Sequence, residues 1–249
     1  MIQTLPLKIH SDYNPNINWE KGGRDYNLHS TDAHIWTVRV PNNFNNLFRE
    51  YRSILSEEEL FKAKAFYWEQ DFKRYLTGRI VLRILLSKYL VKSINDIRFD
   101  LTSRKPTIFS NTPLKYNLSY AGDLISISIG LCETGVDIEF INPDLDFKDI
   151  LLTCFSKDEI KSIDDDQNNS RQEFFLQWTR KEALLKYTGQ GIIDDLTEVP
   201  SLYGTHKITT DKLELDIDIN LLSFHLSSNC VGSLAYPNSV TRVKYFEWQ

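Results

Sequence analysis

With 249 residues, the chain can bury one large core or two smaller ones, and at 41% hydrophobic and 25% charged it has the composition of a globular protein. Its 10 Gly and 8 Pro are too few for a disordered or fibrous chain. A formal net charge of -5 disfavours a nucleic-acid partner.

The first residues, MIQTLPLKIH, show no basic flank followed by an apolar core, so no secretory signal is expected. No apolar run approaches membrane-spanning length, and the most apolar helix candidate carries Arg83 in its middle. Cys132, Cys154 and Cys230 are odd in number and far apart, which fits free thiols in a reducing cytosol rather than a disulfide framework or a zinc site. These features predict a cytoplasmic protein that neither enters nor needs a membrane.

In chain order, the polar, Gly- and Asn-bearing residues up to about 30 read as irregular. IWTVRV (35–40) alternates as a half-buried strand does. Ser56 and Glu59 then form an S-x-x-E capping box that starts a helix through LFKAKAFYW. A longer helix follows, roughly Asp71 to Leu90, with Leu76, Ile80, Ile84 and Leu85 at helical spacing. NLSYAGDLISISIG (117–130) reads as a turn at Asp123 followed by a strand with Ile125, Ile127 and Ile129 on one face.

The second half repeats that order. VDIEF (136–140) is a short strand, and Ser156 with Glu159 makes a second S-x-x-E box. The loop DDDQNNSR (164–171) is very polar. A helix runs through FFLQWTRKEALLKYTG and ends at Gly189. Residues 192–224 read as a β-containing connection, and HLSSNCVGSLAY (225–236) echoes NLSYAGDLISISI. The shared order points to a duplicated α/β fold with a cleft between similar halves, where ligands tend to bind.

Three patterns carry chemistry. In VDIEF, Asp137 and Glu139 are two apart, so both carboxylates point to one side of a strand. Paired hard oxygens suit magnesium, although the polar face of an edge strand is the commoner reason for a lone D-x-E. Trp178, Glu182 and Lys186 are spaced four apart along one helical face. Such a Glu–Lys pair is ordinarily a surface pair, but Trp on the same stripe argues for partial burial. From Lys62 to Lys92, eight Lys or Arg oppose two acids, a local charge of about +6. Charge alone leaves this stretch open between an anion-binding surface and a solvated helix face. Within it, Arg79 and Arg83 are one turn apart, with Lys73 and Arg74 upstream and Lys62 and Lys64 before them. Arg104-Lys105-Pro106 follows, shortly before Asn117-Leu118-Ser119-Tyr120.

Taken in order, R-x8-R, K-P, N-L-S-x-x-G-D, G-V-D-I-E and W-x-x-K-E-A-x-x-K resemble the motifs of the Sfp-type 4'-phosphopantetheinyl transferases. The resemblance covers about Phe61 to Gly191, and in wording and length it is closest to cyanobacterial members of that group. It implies a pseudo-twofold α/β fold. An N-terminal half (1–131) would carry basic coenzyme A-binding helices, and a C-terminal half (132–249) an acidic triad, with the active site between them. The implied reaction moves the phosphopantetheine arm of coenzyme A onto a serine of an apo acyl or peptidyl carrier protein, releasing adenosine 3',5'-bisphosphate. The implied Mg²⁺ ligands are Asp137, Glu139 and Glu182. Glu182 would accept the serine proton, directly or through a water. Lys186 would contact the pyrophosphate. Lys62, Arg74, Arg79, the Lys105-Pro106 pair, Ser119 and Tyr120 would line the rest of the coenzyme site. Tyr120 stands where many relatives have His, and a phenol cannot become cationic. Arg79 stands where some relatives carry an acid. The competing readings are a non-catalytic carrier-binding relative and another Mg²⁺-dependent phosphoryl-transfer enzyme. A cleft internal to one chain leads us to expect a monomer.

Overall fold

The computed structural model describes residues 6–22, 26–100, 107–108, 112–165, 169–191, 195–208, 213 and 215–249. The IWTVRV alternation lies in strand Asp32–Arg39 (β3), but both its faces are buried rather than one. Trp36 and Val38 pack outward against helices, while Ala33 and Ile35 face a second sheet. Helix Val40–Tyr51 (α1) follows. The Ser56 box starts Glu57–Lys64 (α2), which stops short of Phe66-Tyr67-Trp68. Trp68 is instead the N-cap of Glu69–Leu90 (α3). The hairpin Lys115–Ala121 (β6) and Leu124–Gly130 (β7) completes the unit.

Gly135–Phe140 (β8), Lys148–Cys154 (α4), Lys157–Asp165 (α5), Ser170–Thr188 (α6) and the hairpin Ile219–Ser227 (β10) with Cys230–Pro237 (β11) repeat the order. The polar stretch read as a loop therefore contains the end of α5 and the start of α6. Gly189 ends α6 with φ 74, in the left-handed region. Strand order repeats as well: β3–β7–β6 in one sheet and β8–β11–β10 in the other, antiparallel throughout.

The chain ends cross over. Leu7–Asn14 (β1), within the stretch read as irregular, is a strand that pairs in parallel with β10 and so joins the second half's sheet. Its far edge carries Gly204–Ile208 (β9). Arg242–Glu247 (β12) pairs in parallel with β3, inside the first half's sheet, and Glu20–Lys21 (β2) flanks it. The terminal strands are thus exchanged between the two sheets, across the expected division at 131/132. Asp32, almost fully buried, is held by Arg242 at 2.7 Å and ties β3 to β12.

The two sheets lie back to back around Val136, Phe224, Leu234 and Tyr245. α3 covers the outer face of one sheet and α6 that of the other. Short strands Phe99–Asp100 (β4) and Thr107–Ile108 (β5) pair beside α3, with the Phe99 ring against Arg79 and Arg83. No described helix is long and apolar enough to cross a membrane.

Both capping boxes have a second use. The Glu59 side chain accepts from the Ser56 N–H and also holds Arg79 Nε at 2.6 Å and Arg83 Nη2 at 2.8 Å. Glu159 accepts from the Ser156 N–H and from Lys181 Nζ at 2.9 Å. Each capping glutamate is 2% exposed and neutralised by the following long helix. Burial opposes ionisation of Glu59, but Arg79, the Ser56 N–H and Arg83 outweigh it and hold its carboxyl below the ordinary value. A depressed folded pKa contributes stability that is present above the unfolded value, about 4.3, and is lost as pH falls through the folded one. Glu59→Gln should therefore lower the melting temperature more at pH 7 than at about pH 3, as thermal melts at the two pH values would show. Equal losses at both would remove Glu59 from the acid transition.

Candidate active site

The two sheets meet edge to edge at β6 and β8, strands of different sheets joined by side chains. The Val136 N–H donates to Asn117 Oδ1 at 3.1 Å, and the Ile138 N–H to Ser119 Oγ at 3.2 Å. Asn117 and Ser119 are two apart on β6, so one face of that edge serves the backbone of β8. The same pleat sends Ile138 into the apolar core and leaves Asp137 and Glu139 on the opposite side. α6 closes the third side, presenting Trp178, Glu182 and Lys186 from one stripe.

Asp137, only 4% exposed, is the hub. Its Oδ1 accepts from Ser119 Oγ at 2.9 Å and from Lys186 Nζ at 2.7 Å, and Lys186 also donates to Ser119 Oγ at 3.0 Å. Its Oδ2 is buried and has no hydrogen-bond partner among the described residues. Burial and then Asp137 push the Glu139 carboxyl up to about 7, with Lys186 pulling the other way. Burial and then Asp137 likewise raise Glu182. Three mutually repelling carboxylates, one with an unsatisfied buried oxygen, form a donor set that a hard cation would stabilise. Among the described residues, no three His, Cys, Asp or Glu side chains already converge as a ready-made metal cage. Lys186 is the cation that Asp137 holds.

The remaining expected residues fall into three groups. Arg74 sits beside the site's hairpin: it donates to the Gly122 carbonyl at 2.9 Å, pairs with Asp71, and lines a pocket of about 310 Å³ with Phe44, Gln70, Lys73 and Asp123. Lys62 is exposed on α2, with its ammonium 5.6 Å from the Tyr75 ring centroid. Tyr120 packs on α3 so closely that a Cβ at Gly78 would lie 2.8 Å from its hydroxyl. Burial pushes that hydroxyl up to about 12, so it stays neutral. Arg79, expected as a coenzyme contact, is 8% exposed; its Nε is bonded to Glu59 and its guanidinium lies 4.1 Å from the Phe99 ring centroid. It is an internal ion-pair member, because α3 is buried where Arg79 projects and a charge there must be paired. Arg104, Lys105 and Pro106 lie outside the described residues.

Sequence reasoning missed Lys181, which neighbours Glu182 and is 1% exposed. Besides Glu159 it donates to the carbonyls of Leu196, at 3.0 Å, and Val199, at 2.5 Å. Leu184 and Leu185, three and four residues on and so on the same helical face, were the available sign that this lysine points inward.

Known proteins match the chain in both of its halves. The family model described as "4'-phosphopantetheinyl transferase superfamily" matches residues 133–228, and "4'-phosphopantetheinyl transferase, N-terminal" matches 42–130. The chain is 31% identical over 231 residues to the 4'-phosphopantetheinyl transferase HetI of Nostoc sp., covering 89% of this chain and 92% of that protein. It is 30% identical over 172 residues to AcpT of Salmonella typhi, covering 66% and 86%. It is 28% identical over 144 residues to Sfp of Bacillus subtilis, covering 57% and 63%.

Proposed function

Because this chain belongs to the 4'-phosphopantetheinyl transferase superfamily and is a coenzyme A-using transferase, we propose that its transfer takes place at the seam of β6, β8 and α6. The reaction joins the phosphopantetheine arm to a carrier-protein serine. The serine oxygen forms a bond to the phosphorus bearing the arm, and the bond from that phosphorus to adenosine 3',5'-bisphosphate breaks. The observation that carries the placement is Asp137, gripped on Oδ1 by Ser119 and Lys186 while its buried Oδ2 has no partner among the described residues.

A serine hydroxyl is a weak nucleophile until a base takes its proton. Glu182 suits that role, directly or through a water, since it stands with Asp137 on the face that α6 turns to the seam. Lys186 is 30% exposed and turns from Asp137 to the pyrophosphate, where it offsets charge developing on the leaving group. Asp137, Glu139 and Glu182 would hold Mg²⁺, which when bound supplies further neutralisation of that phosphate charge. Ser119 and Arg74 guide the nucleotide on the other wall, with Lys62 toward its 3'-phosphate. Three free cysteines and a cleft internal to one chain support a cytoplasmic monomer.

Mass spectrometry of an apo carrier protein tests the reading. A phosphopantetheine adduct on the carrier serine is expected only when this protein, coenzyme A and Mg²⁺ are all present. Absence of the adduct with all three present would overturn the function. An undiminished adduct in excess chelator would remove the metal from it.

A further inference from the structure

The corner between α2 and α3 exposes aromatic side chains that the fold does not use. Phe61 is 79% exposed, Tyr67 86% and Trp68 66%, and Phe66 is exposed beside them. The other exposed large apolar residues described, Val91, Leu152, Tyr203 and Ile217, come singly. Solitary ones need no explanation, whereas four within eight residues make a patch. The patch is held in shape: Tyr67 and Trp68 meet edge-on at 4.8 Å, and Phe66 packs on Tyr75 at 5.5 Å.

From this patch we infer that the α2–α3 corner is the docking surface for the carrier protein, taking an acidic, partly apolar face beside its target serine. The inference rests on the transferase function proposed above. Charge supplies the first argument. Lys62 and Lys64, both exposed, flank the aromatics on a chain whose net charge is -5. An acidic protein is repelled by the molecule as a whole and drawn to this face, which favours encounter here.

Shape supplies the second argument. A nucleobase needs a slot, whereas these rings project into solvent as protein-interface anchors do. Position supplies the third. Tyr75 and Gly78 are three apart on α3 and share a face, and Tyr120, next to Ser119, packs on Gly78. Trp68 lies roughly 15 Å along the helix from Gly78, well inside the footprint of a standard interface. A carrier seated on the corner therefore reaches over the same row of residues toward the seam.

Steady-state kinetics with an apo acyl carrier protein and an apo peptidyl carrier domain as probes test this. The triple change Phe61→Ser, Tyr67→Ser and Trp68→Ser should raise the KM of the accepted carrier by roughly thirtyfold or more. KM for coenzyme A, kcat at saturating carrier and the melting temperature should stay as in the parent. Lys64→Glu should raise the carrier KM at low salt, with the effect fading in high salt. An unchanged carrier KM in the triple variant overturns the inference, as does a rise in KM for coenzyme A instead, which would mark a nucleotide subsite. If the parent modifies neither probe, the transferase function itself fails, and the docking surface falls with it.

Discussion

Replacing Glu182 by Gln is expected to lower kcat by about 10²–10⁴-fold, the usual contribution of a positioned acid–base group, without lowering the melting temperature. The two halves of this expectation have one cause. Burial and the Asp137 charge raise the Glu182 pKa above that of a free glutamate. An acid whose folded pKa is raised contributes stability while protonated and loses it as pH rises through that value, so at neutral pH its charge is a burden on the fold. Gln keeps the shape, removes the repulsion and cannot take a proton. Carrier-loading rates followed by mass spectrometry, with melts on the same samples, read both effects. Undiminished loading would take Glu182 out of the mechanism. A large fall in melting temperature would mean that the side chain supports the fold instead.

Much of this site was legible because its parts are local. The D-x-E of β8 needs only strand pleat to put Asp137 and Glu139 on one side, and the stripe of α6 needs only helical spacing. Both capping boxes, the two long helices and the Gly189 cap are short-range signals, and the structure has all of them. What could not be read is what depends on pairing across the whole chain. β1 carries Lys8, His10 and Asp12 on its exposed side, which hides the alternation that buries Ile9 and Ser11. Nothing local says that it pairs with β10, or that β12 returns to β3.

The arginines of α3 show the same limit from the other side. Arg79 and Arg83 looked available for phosphate because the stretch is basic. Yet Leu76, Ile80, Val81, Leu82, Leu85 and Leu86 are all fully buried, so this part of the helix has no solvent face. Cations there need an internal partner, and Glu59 was already in the sequence as the capping residue. A helix apolar on every side, preceded by a capping glutamate, predicts a buried ion pair better than a binding site. That reading leaves Arg74, near the exposed start of α3, beside the site's hairpin.

The second half applies the rule at higher stakes. Lys181→Met should destabilise the protein by about 3–5 kcal/mol, because it strands the Glu159 charge in the interior. In a chain of this size that corresponds to a melting temperature lower by roughly 10 °C. Burial pulls the Lys181 pKa down even against the attraction of Glu159, so the ammonium is held there at a desolvation cost. Removing both charges should therefore restore most of the loss, and Glu159→Gln with Lys181→Met should melt well above Lys181→Met alone. Gln retains an acceptor for Ser201, whose N–H and hydroxyl donate to Glu159 Oε1 at 2.9 and 2.6 Å. If the double variant melts no higher than the single one, Lys181 matters through its bonds to the Leu196 and Val199 carbonyls rather than through the ion pair. Either result bears on catalysis, since Lys181 and Glu182 are consecutive on α6. One fixes the helix from within, and the other faces the seam that the helix closes.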